Sequence, residues 1–299
     1  METIPKAEFG WIGGSNTWGM RFPEGLERPE VRVLEYVGPF ETPFGKSAPF
    51  KLVEVAGKRG LRVAMHGCYP SKSEVILPWY SAKQIMWIFK EAGASWAITD
   101  GSVGGVQKAD GSDLPPWSAV IPDDFVMDFV PQPESNFGGR MPRETAIFKR
   151  MAQPFCGGLR CHLIEAAYKQ SAFVGVHDKA VYRCTQFGRF ETAAEVELLK
   201  MLGKTVIVGQ TVAHEAVAAR KFGLHFASLN VVSNYAERGT EQWIGDLPNA
   251  MTEMYRACPV PAGNVLVDAI LSVIREGIGS CRCHDYSLVG LDQFPVEGA

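Results

Sequence analysis

The chain has 299 residues, 46% hydrophobic and 21% charged, with 30 basic and 33 acidic side chains and a net charge of −3. That composition belongs to a folded globular protein, excludes disorder as its main state, and offers no global attraction for nucleic acid or an anionic membrane. No apolar run of about 18 residues is present, so no membrane span is expected, and the opening METIPKAEFGWIGG lacks a charged segment followed by an apolar core, which makes a cytoplasmic setting the expectation.

Taken in chain order, short apolar runs alternate with helical periodicity. Leu61–Met65 predicts a strand, Ser81–Ala92 a helix, and Ser95–Thr99 and Phe125–Phe129 two further strands. The segment from Pro131 to Gly158 is rich in Pro and Gly and reads as a long loop, the kind that lines a site or an interface. Leu159–Lys169 predicts a helix, Val181–Thr185 a strand, Ala193–Leu202 a helix, Thr205–Val208 a strand, His214–Phe222 a helix and Ala227–Val232 a strand. Asn264–Glu276 closes the series as a helix, with Leu266, Ile270, Val273 and Ile274 on one face and Gly277 at its end. Apolar strands without strict alternation are buried on both faces, so the pattern predicts an α/β protein with a mostly parallel sheet between helices. No repeat or linker divides it, and residues 1–299 are expected to form one domain.

In such sheets ligands bind beyond the carboxyl ends of the strands, where six polar loops fall. Ile12-Gly13-Gly14-Ser15-Asn16 can bring backbone N–H groups and a hydroxyl to an anion, although an ordinary turn explains it equally well; it is neither a dinucleotide fingerprint nor a P-loop. Met65-His66-Gly67-Cys68 carries a histidine that is either structural or functional. Thr99-Asp100-Gly101-Ser102-Val103-Gly104-Gly105 has small residues that let a ligand approach the backbone. In the segment Phe187–Glu195, Thr192 and Glu195 have the spacing of a capping box, which leaves Phe190 and Glu191 before the cap and free to face a ligand. Gly209–Glu215 and Val232–Ala236 complete the set.

GGS at Gly13–Ser15, TPFG at Thr42–Gly45, HG at His66–Gly67, MAQPFC at Met151–Cys156, GRFETAAE at Gly188–Glu195, GQTVAHE from Gly209 and SNYA from Ser233 occur in that order. With these motifs the chain resembles the trimeric purine nucleoside phosphorylases, most closely the branch acting on 5′-methylthioadenosine or 5′-methylthioinosine, from about Phe9 to about Ile278. The resemblance implies an α/β sandwich with a mixed, distorted barrel-like central sheet flanked by helices. It also implies a homotrimer, a small-molecule nucleoside as partner with no nucleic acid or membrane, and no cofactor, phosphate being the co-substrate. The reaction implied is attack of phosphate on C1′ as the purine leaves.

Carried over residue by residue, Asn234 faces purine N7, Glu191 accepts from purine N1–H, and Phe190 packs on the base. Glu191 with Asn234 favours 6-oxopurines. Ser15, His66 and Thr211 stand at phosphate positions. Several positions depart from the family. Gln210 replaces a Met beneath the sugar, Phe148 replaces a His brought to the 5′ side by the neighbouring subunit, and Met65 replaces an Arg. Asp100 and Gly101 replace a Thr-Thr or Thr-Asn pair. Without the guanidinium the phosphate loses its best fork, and a carboxylate close by repels it by several kcal/mol at about 4 Å in an intermediate dielectric. A second possibility therefore stands beside phosphorolysis: Asp100 as a general base activating water in a nucleosidase. A third is a catalytically weak purine-binding homologue, and for Asp100 alone a simple cap or turn role is also open.

Seven cysteines, an odd number spread from Cys68 to Cys283, do not form a secreted disulfide framework. Cys281-Arg282-Cys283-His284 invites a metal reading but lacks a second ligand pair at the usual spacing, so no metal is expected and free thiols or a redox pair are the alternatives. His162, His177 and His225 show no partner pattern and read as structural or exposed.

Overall fold

Strands apolar on both faces form the centre of the molecule, and everything else is arranged to cover them. The computed structural model describes residues 3–69, 73–127, 149–237 and 247–283. The strands are β1 (Phe9–Ile12), β2 (Val31–Val37), β3 (Glu41–Thr42), β4 (Gly45–Lys46), β5 (Phe50–Val55), β6 (Lys58–Val63), β7 (Trp96–Gln107), β8 (Ser118–Val120), β9 (Asp124–Met127), β10 (Gly175–His177), β11 (Val181–Cys184), β12 (Val206–Gly209) and β13 (His225–Tyr235). The helices are α1 (Pro78–Ala92), α2 (Gly157–Tyr168), α3 (Ala193–Lys200), α4 (Val212–Phe222), α5 (Leu247–Ala257) and α6 (Pro259–Glu276).

Eleven of these strands share one sheet in the order β10-β8-β13-β7-β1-β6-β5-β2, and β12, β11 and β9 branch from it through β7. The branch makes the sheet a distorted, barrel-like surface. The first half of β7 runs parallel to both β1 and β13, while its second half also takes β12 as an antiparallel partner. The sheet is thus mixed, with further antiparallel pairs β2–β5, β5–β6 and β8–β13. Parallel pairings still outnumber antiparallel ones among the described strands of this sheet, six to four, in keeping with the mostly parallel expectation and with the mixed sheet implied by the resemblance. Helices α1 and α4 cover one face through Ile85, Met86, Phe89, Ala213 and Ala216; α2 and α6 cover the other through Leu159, Leu163, Leu266 and Ile270.

Local chemistry sets the helix ends. Pro78 opens α1, and Gly93 closes it in the left-handed region. The predicted capping box forms at α3: Glu195 N–H donates to the Thr192 hydroxyl, and Thr192 N–H donates to the Glu195 carboxylate. A cap of this kind contributes about 1 kcal/mol, and here it fixes where Phe190 and Glu191 leave the preceding loop.

The largest departure from the predicted elements is β7. Asp100–Gly105 reads as a glycine-rich loop, yet it lies inside a twelve-residue strand. Partners on both sides supply its backbone hydrogen bonds, and close packing excludes larger residues. A Cβ at Gly104 would fall 2.7 Å from the Val208 side chain. Tertiary pairing here overrides the weak strand propensity of glycine. Of the predicted Phe125–Phe129 strand and the 131–158 loop, residues 128–148 lie outside the described residues.

Candidate active site

A cavity of about 240 Å³ opens where β1, β6, β11, β12 and β13 end, with the middle of β7 as its floor. Four of the six predicted loops thus converge as loops, and the other two, 99–105 and 232–236, contribute largely as the strands β7 and β13. The cavity is lined by Ser15, His66, Phe190, Glu191, Gln210, Thr211 and Asn234 among others. Phe148 lies outside the described residues.

At one end the hydroxyls and His66 gather. Ser102 N–H donates to Ser15 Oγ at 3.0 Å, and the two serine hydroxyls bond to each other. Gly14, beside Ser15, touches the Asp100 carbonyl so closely that a Cβ would collide with it, so only glycine lets these two segments meet. Met65 and His66 both take left-handed backbone angles, φ 46° and 54°. Such conformations cost about 1–3 kcal/mol each for non-glycine residues. The turn is held by His66 N–H on the Gly13 carbonyl and by the Ser81 hydroxyl on the His66 carbonyl. It delivers the imidazole to a buried partner: His66 Nδ1–H donates to Glu215 Oε1 at 2.7 Å, while Nε2 lies 3.4 Å from Thr211 Oγ1. Burial alone would lower the His66 pKa, but the facing Glu215 carboxylate, helped by Asp100, raises it above the ordinary 6.5. The described lining residues include no Lys or Arg, which leaves His66 as the basic side chain of this end.

Asp100 does not line the cavity. Its side chain is fully buried, and Oδ2 accepts from Gly14 N–H at 2.9 Å and from the Thr17 hydroxyl at 3.0 Å. Behind it stands the buried Arg62, its guanidinium 4.8 Å from the centre of the Phe22 ring and drawn toward Asp100 by charge. Burial raises the Asp100 pKa, against the pull of Gly14 N–H and the neighbouring cations. The placement differs from the expectation of a water-activating base in the pocket. Asp100 cross-links the β1 loop to β7, the cap-like alternative, because a strand's alternating side chains turn it away from the cavity.

The opposite end carries the groups assigned to the base. Glu191 is 7% exposed and accepts from the Thr185 hydroxyl at 3.1 Å; burial raises its pKa. Asn234 follows an irregularity in the β13–β7 register between Val232 and Asn234, a bulge that re-aims its side chain. Its Oδ1 accepts from Ser233 Oγ at 2.7 Å. Phe190 is 55% exposed at the rim. Gln210 lines the wall, but both ends of its amide are engaged: Nε2 donates to the Arg189 carbonyl at 2.6 Å, and Oε1 accepts from Gly188 N–H at 3.3 Å. It clasps the loop that presents Phe190 and Glu191.

Sequence reasoning missed Glu215, Ser102, Tyr182 and Tyr255. Glu215 sits four residues after Thr211, one helical turn on, a spacing that lets both reach His66. Tyr182 OH accepts from Thr211 N–H and Val212 N–H and so fixes the start of α4. Tyr255 reaches the Ser102 hydroxyl from α5, whose Met251, Met254 and Tyr255 repeat at helical spacing. Cys281 and Cys283 meet Cys156 and His225 in space, a ligand pair from distant segments that local spacing could not show. His284 lies outside the described residues.

The sequence profile described as the phosphorylase superfamily matches residues 27–257. A probable S-methyl-5′-thioinosine phosphorylase of Methanothermobacter thermautotrophicus is 32% identical over 95% of this chain and 89% of its own length. A probable 6-oxopurine nucleoside phosphorylase of Korarchaeum cryptofilum is 32% identical over 76% of this chain and 79% of its own. Among solved structures, methylthioadenosine phosphorylase from Schistosoma mansoni in complex with adenine superposes with a TM-score of 0.72 at 22% identity, covering 90% of this chain and 92% of that one. At that identity the likeness is one of fold.

Proposed function

Because the chain belongs to the phosphorylase superfamily, we propose that its cavity cleaves the N-glycosidic bond of a purine nucleoside by phosphorolysis, giving free purine and a sugar 1-phosphate. The observation that carries this is the buried His66–Glu215 pair, whose imidazole shares one cavity with Ser15, Thr211, Glu191 and Asn234. Glu215 favours the imidazolium, which supplies the positive charge that an Arg at position 65 would otherwise bring. The phosphate is held by Ser15, His66 and Thr211, its charge facing an N–H donor that is stronger when ionised. Held there, it is positioned to attack C1′ as the bond to the purine stretches. The electrons of that bond move into the purine ring, and Asn234 meets them by donating from its amide to N7 or O6. Glu191 accepts from N1–H of a 6-oxopurine, and Phe190 covers the base. Phosphate is the only co-substrate the proposal requires.

A hydrolytic alternative would need a carboxylate in contact with a water in the cavity; Asp100 is not part of the lining and spends Oδ2 on Gly14 and Thr17. The test is nucleoside turnover with and without phosphate. Purine release that requires phosphate and yields sugar 1-phosphate is expected; free sugar released without phosphate would overturn the assignment.

The preferred substrates are proposed to be 6-oxopurine nucleosides, including 5′-modified ones. Glu191→Gln exchanges an acceptor for a group that also presents N–H. It should lower kcat/KM for 6-oxopurine nucleosides roughly 10- to 100-fold, the value of about 1.5–3 kcal/mol for a hydrogen bond to a charged group. The 6-amino series should change much less. Parallel kinetics on the two series decide it, and equal losses would contradict the role given to Glu191.

A single domain, a cytoplasmic setting and a homotrimer belong to the same proposal. The continuous eleven-stranded sheet supports the first, and seven cysteines with no disulfide among them the second. The apolar rim supports the third: Phe190 is exposed, and Trp18 stacks on Tyr69 beside the mouth, a surface suited to being covered by another copy.

A further inference from the structure

On the side of the sheet covered by α2 and α6, three distant stretches of chain aim four donor atoms at one point. Cys156 immediately precedes α2, and its N–H donates to the Phe226 carbonyl at 2.7 Å, which sets it beside His225 at the start of β13. Cys281 and Cys283 arrive after α6 through Gly277 and Gly279, both in the left-handed region. The three thiol sulfurs lie 3.4, 3.3 and 3.3 Å from His225 Nδ1, for Cys156, Cys281 and Cys283 in turn. Cys281 and Cys283 are 3.4 Å apart, and all four donor atoms fall within 4.8 Å of one another.

Hydrogen bonding does not account for this. A neutral imidazole nitrogen has one acceptor lone pair, so three thiols around Nδ1 cannot all be satisfied by it. Disulfide bonding does not account for it either, since that needs sulfurs about 2.05 Å apart. A tetrahedral cation does. With zinc–sulfur bonds of about 2.3 Å and zinc–nitrogen bonds of about 2.0–2.1 Å, the edges of the tetrahedron are about 3.8 Å between sulfurs and about 3.6 Å from sulfur to nitrogen. The three sulfur–nitrogen separations and that between Cys281 and Cys283 lie a few tenths of an ångström inside those edges.

We propose that Cys156, His225, Cys281 and Cys283 form a structural zinc site. Four protein ligands close the coordination sphere, which marks a structural rather than a catalytic centre, and none of the four lines the nucleoside cavity. Zinc enters as Zn²⁺ and displaces the protons of the three thiols, with no change of oxidation state; the imidazole binds as the neutral ring. Three thiolates and one zinc leave a single negative charge. Arg220 lies within electrostatic reach of all three sulfurs, and its guanidinium donates to the carbonyls of Arg150 and Gln153 in the stretch leading to Cys156. The metal thereby ties the chain beyond α6 to the start of α2 and the start of β13. A Cβ at Gly158 would collide with the Ile278 carbonyl, so these segments are already in contact there.

The full chain, purified under reducing conditions without chelator, should contain about one zinc per chain by elemental analysis. After removal of zinc, titration with cobalt(II) should give the intense visible bands of a tetrahedral, thiolate-bound ion and saturate at one equivalent. Cys283→Ser and His225→Gln should each reduce zinc content at least tenfold, while Cys161→Ser, at an exposed cysteine outside the cluster, should leave it unchanged. The wild-type cobalt titration decides the matter even where a variant fails to fold. Metal-free protein whose reduced form gives no cobalt bands would overturn the site. So would zinc that persists in both variants, or a Cys281–Cys283 or Cys156–Cys283 disulfide in freshly purified protein whose reduced form does not bind cobalt.

Discussion

Glu215→Gln is expected to raise the KM for phosphate roughly 10- to 100-fold while leaving turnover at saturating phosphate less affected. The exchange keeps the shape of the side chain and removes its charge. His66 then remains buried, and the burial that lowers its pKa is no longer opposed by a carboxylate 2.7 Å away. A charge-assisted contact worth about 1.5–3 kcal/mol corresponds to that range of affinity. The sign of the pH dependence follows. The folded-state value of His66 lies above 6.5, so what the ion pair adds to stability is complete below 6.5 and is lost as pH rises through the raised value. Phosphate affinity in the wild type should weaken over the same interval, and in the variant the weakening should move to lower pH. KM for phosphate measured across pH in both proteins tests this; coincident profiles would remove His66–Glu215 from phosphate binding.

Asp100→Ala is expected to cost about 3–5 kcal/mol of stability, the usual loss when one partner of a buried charged group is deleted. For a chain of this size that is a fall in Tm of roughly 5–8 °C. The deletion leaves the N–H of Gly14 and the hydroxyl of Thr17 without their acceptor. It also strands Arg62, whose pKa, lowered by burial to about 10, still keeps it cationic at neutral pH. Because the carboxylate does not reach the cavity, nucleoside cleavage by the folded fraction should stay within several-fold of wild type. Calorimetry with activity per folded molecule separates the possibilities. A loss of activity beyond a hundredfold at unchanged Tm would return Asp100 to the chemistry.

The α/β architecture and most of its elements were legible because buried strands and amphipathic helices announce themselves through apolar periodicity. The predicted Val181–Thr185 and Ala193–Leu202 segments differ from β11 and α3 by one or two residues at their ends. What was not legible depends on contacts far apart in the chain. Gly101, Gly104 and Gly105 look like a loop until β12 and β13 are brought alongside them. The end of β6 falls two residues before the predicted one, because the turn that carries His66 takes left-handed angles that no local pattern betrays. At the site, the residues proposed to face the base and the hydroxyls could be picked out by position in motifs, and the cavity gathers them. The direction in which Asp100 points could not, since it depends on the side of the sheet that residue 100 faces. Glu215 was passed over because a glutamate in the first turn of a helix has a sufficient local explanation in the helix dipole.

The twelve-residue β7 has a consequence for how ligands come and go. The floor of the cavity is the middle of the most enclosed strand in the sheet, and segments of that kind open only with the whole molecule. It is therefore a fixed template on the timescale of turnover. Traffic must pass over the rim, past the loop that bears Phe190 and Glu191. That loop is held by the Gln210 amide, by the Arg189–Glu195 ion pair and by the Thr185–Glu191 hydrogen bond. Exposed contacts of the first two kinds are worth about 1 kcal/mol or less each, so the rim, and not the strand beneath it, is the part of the site able to yield to a ligand.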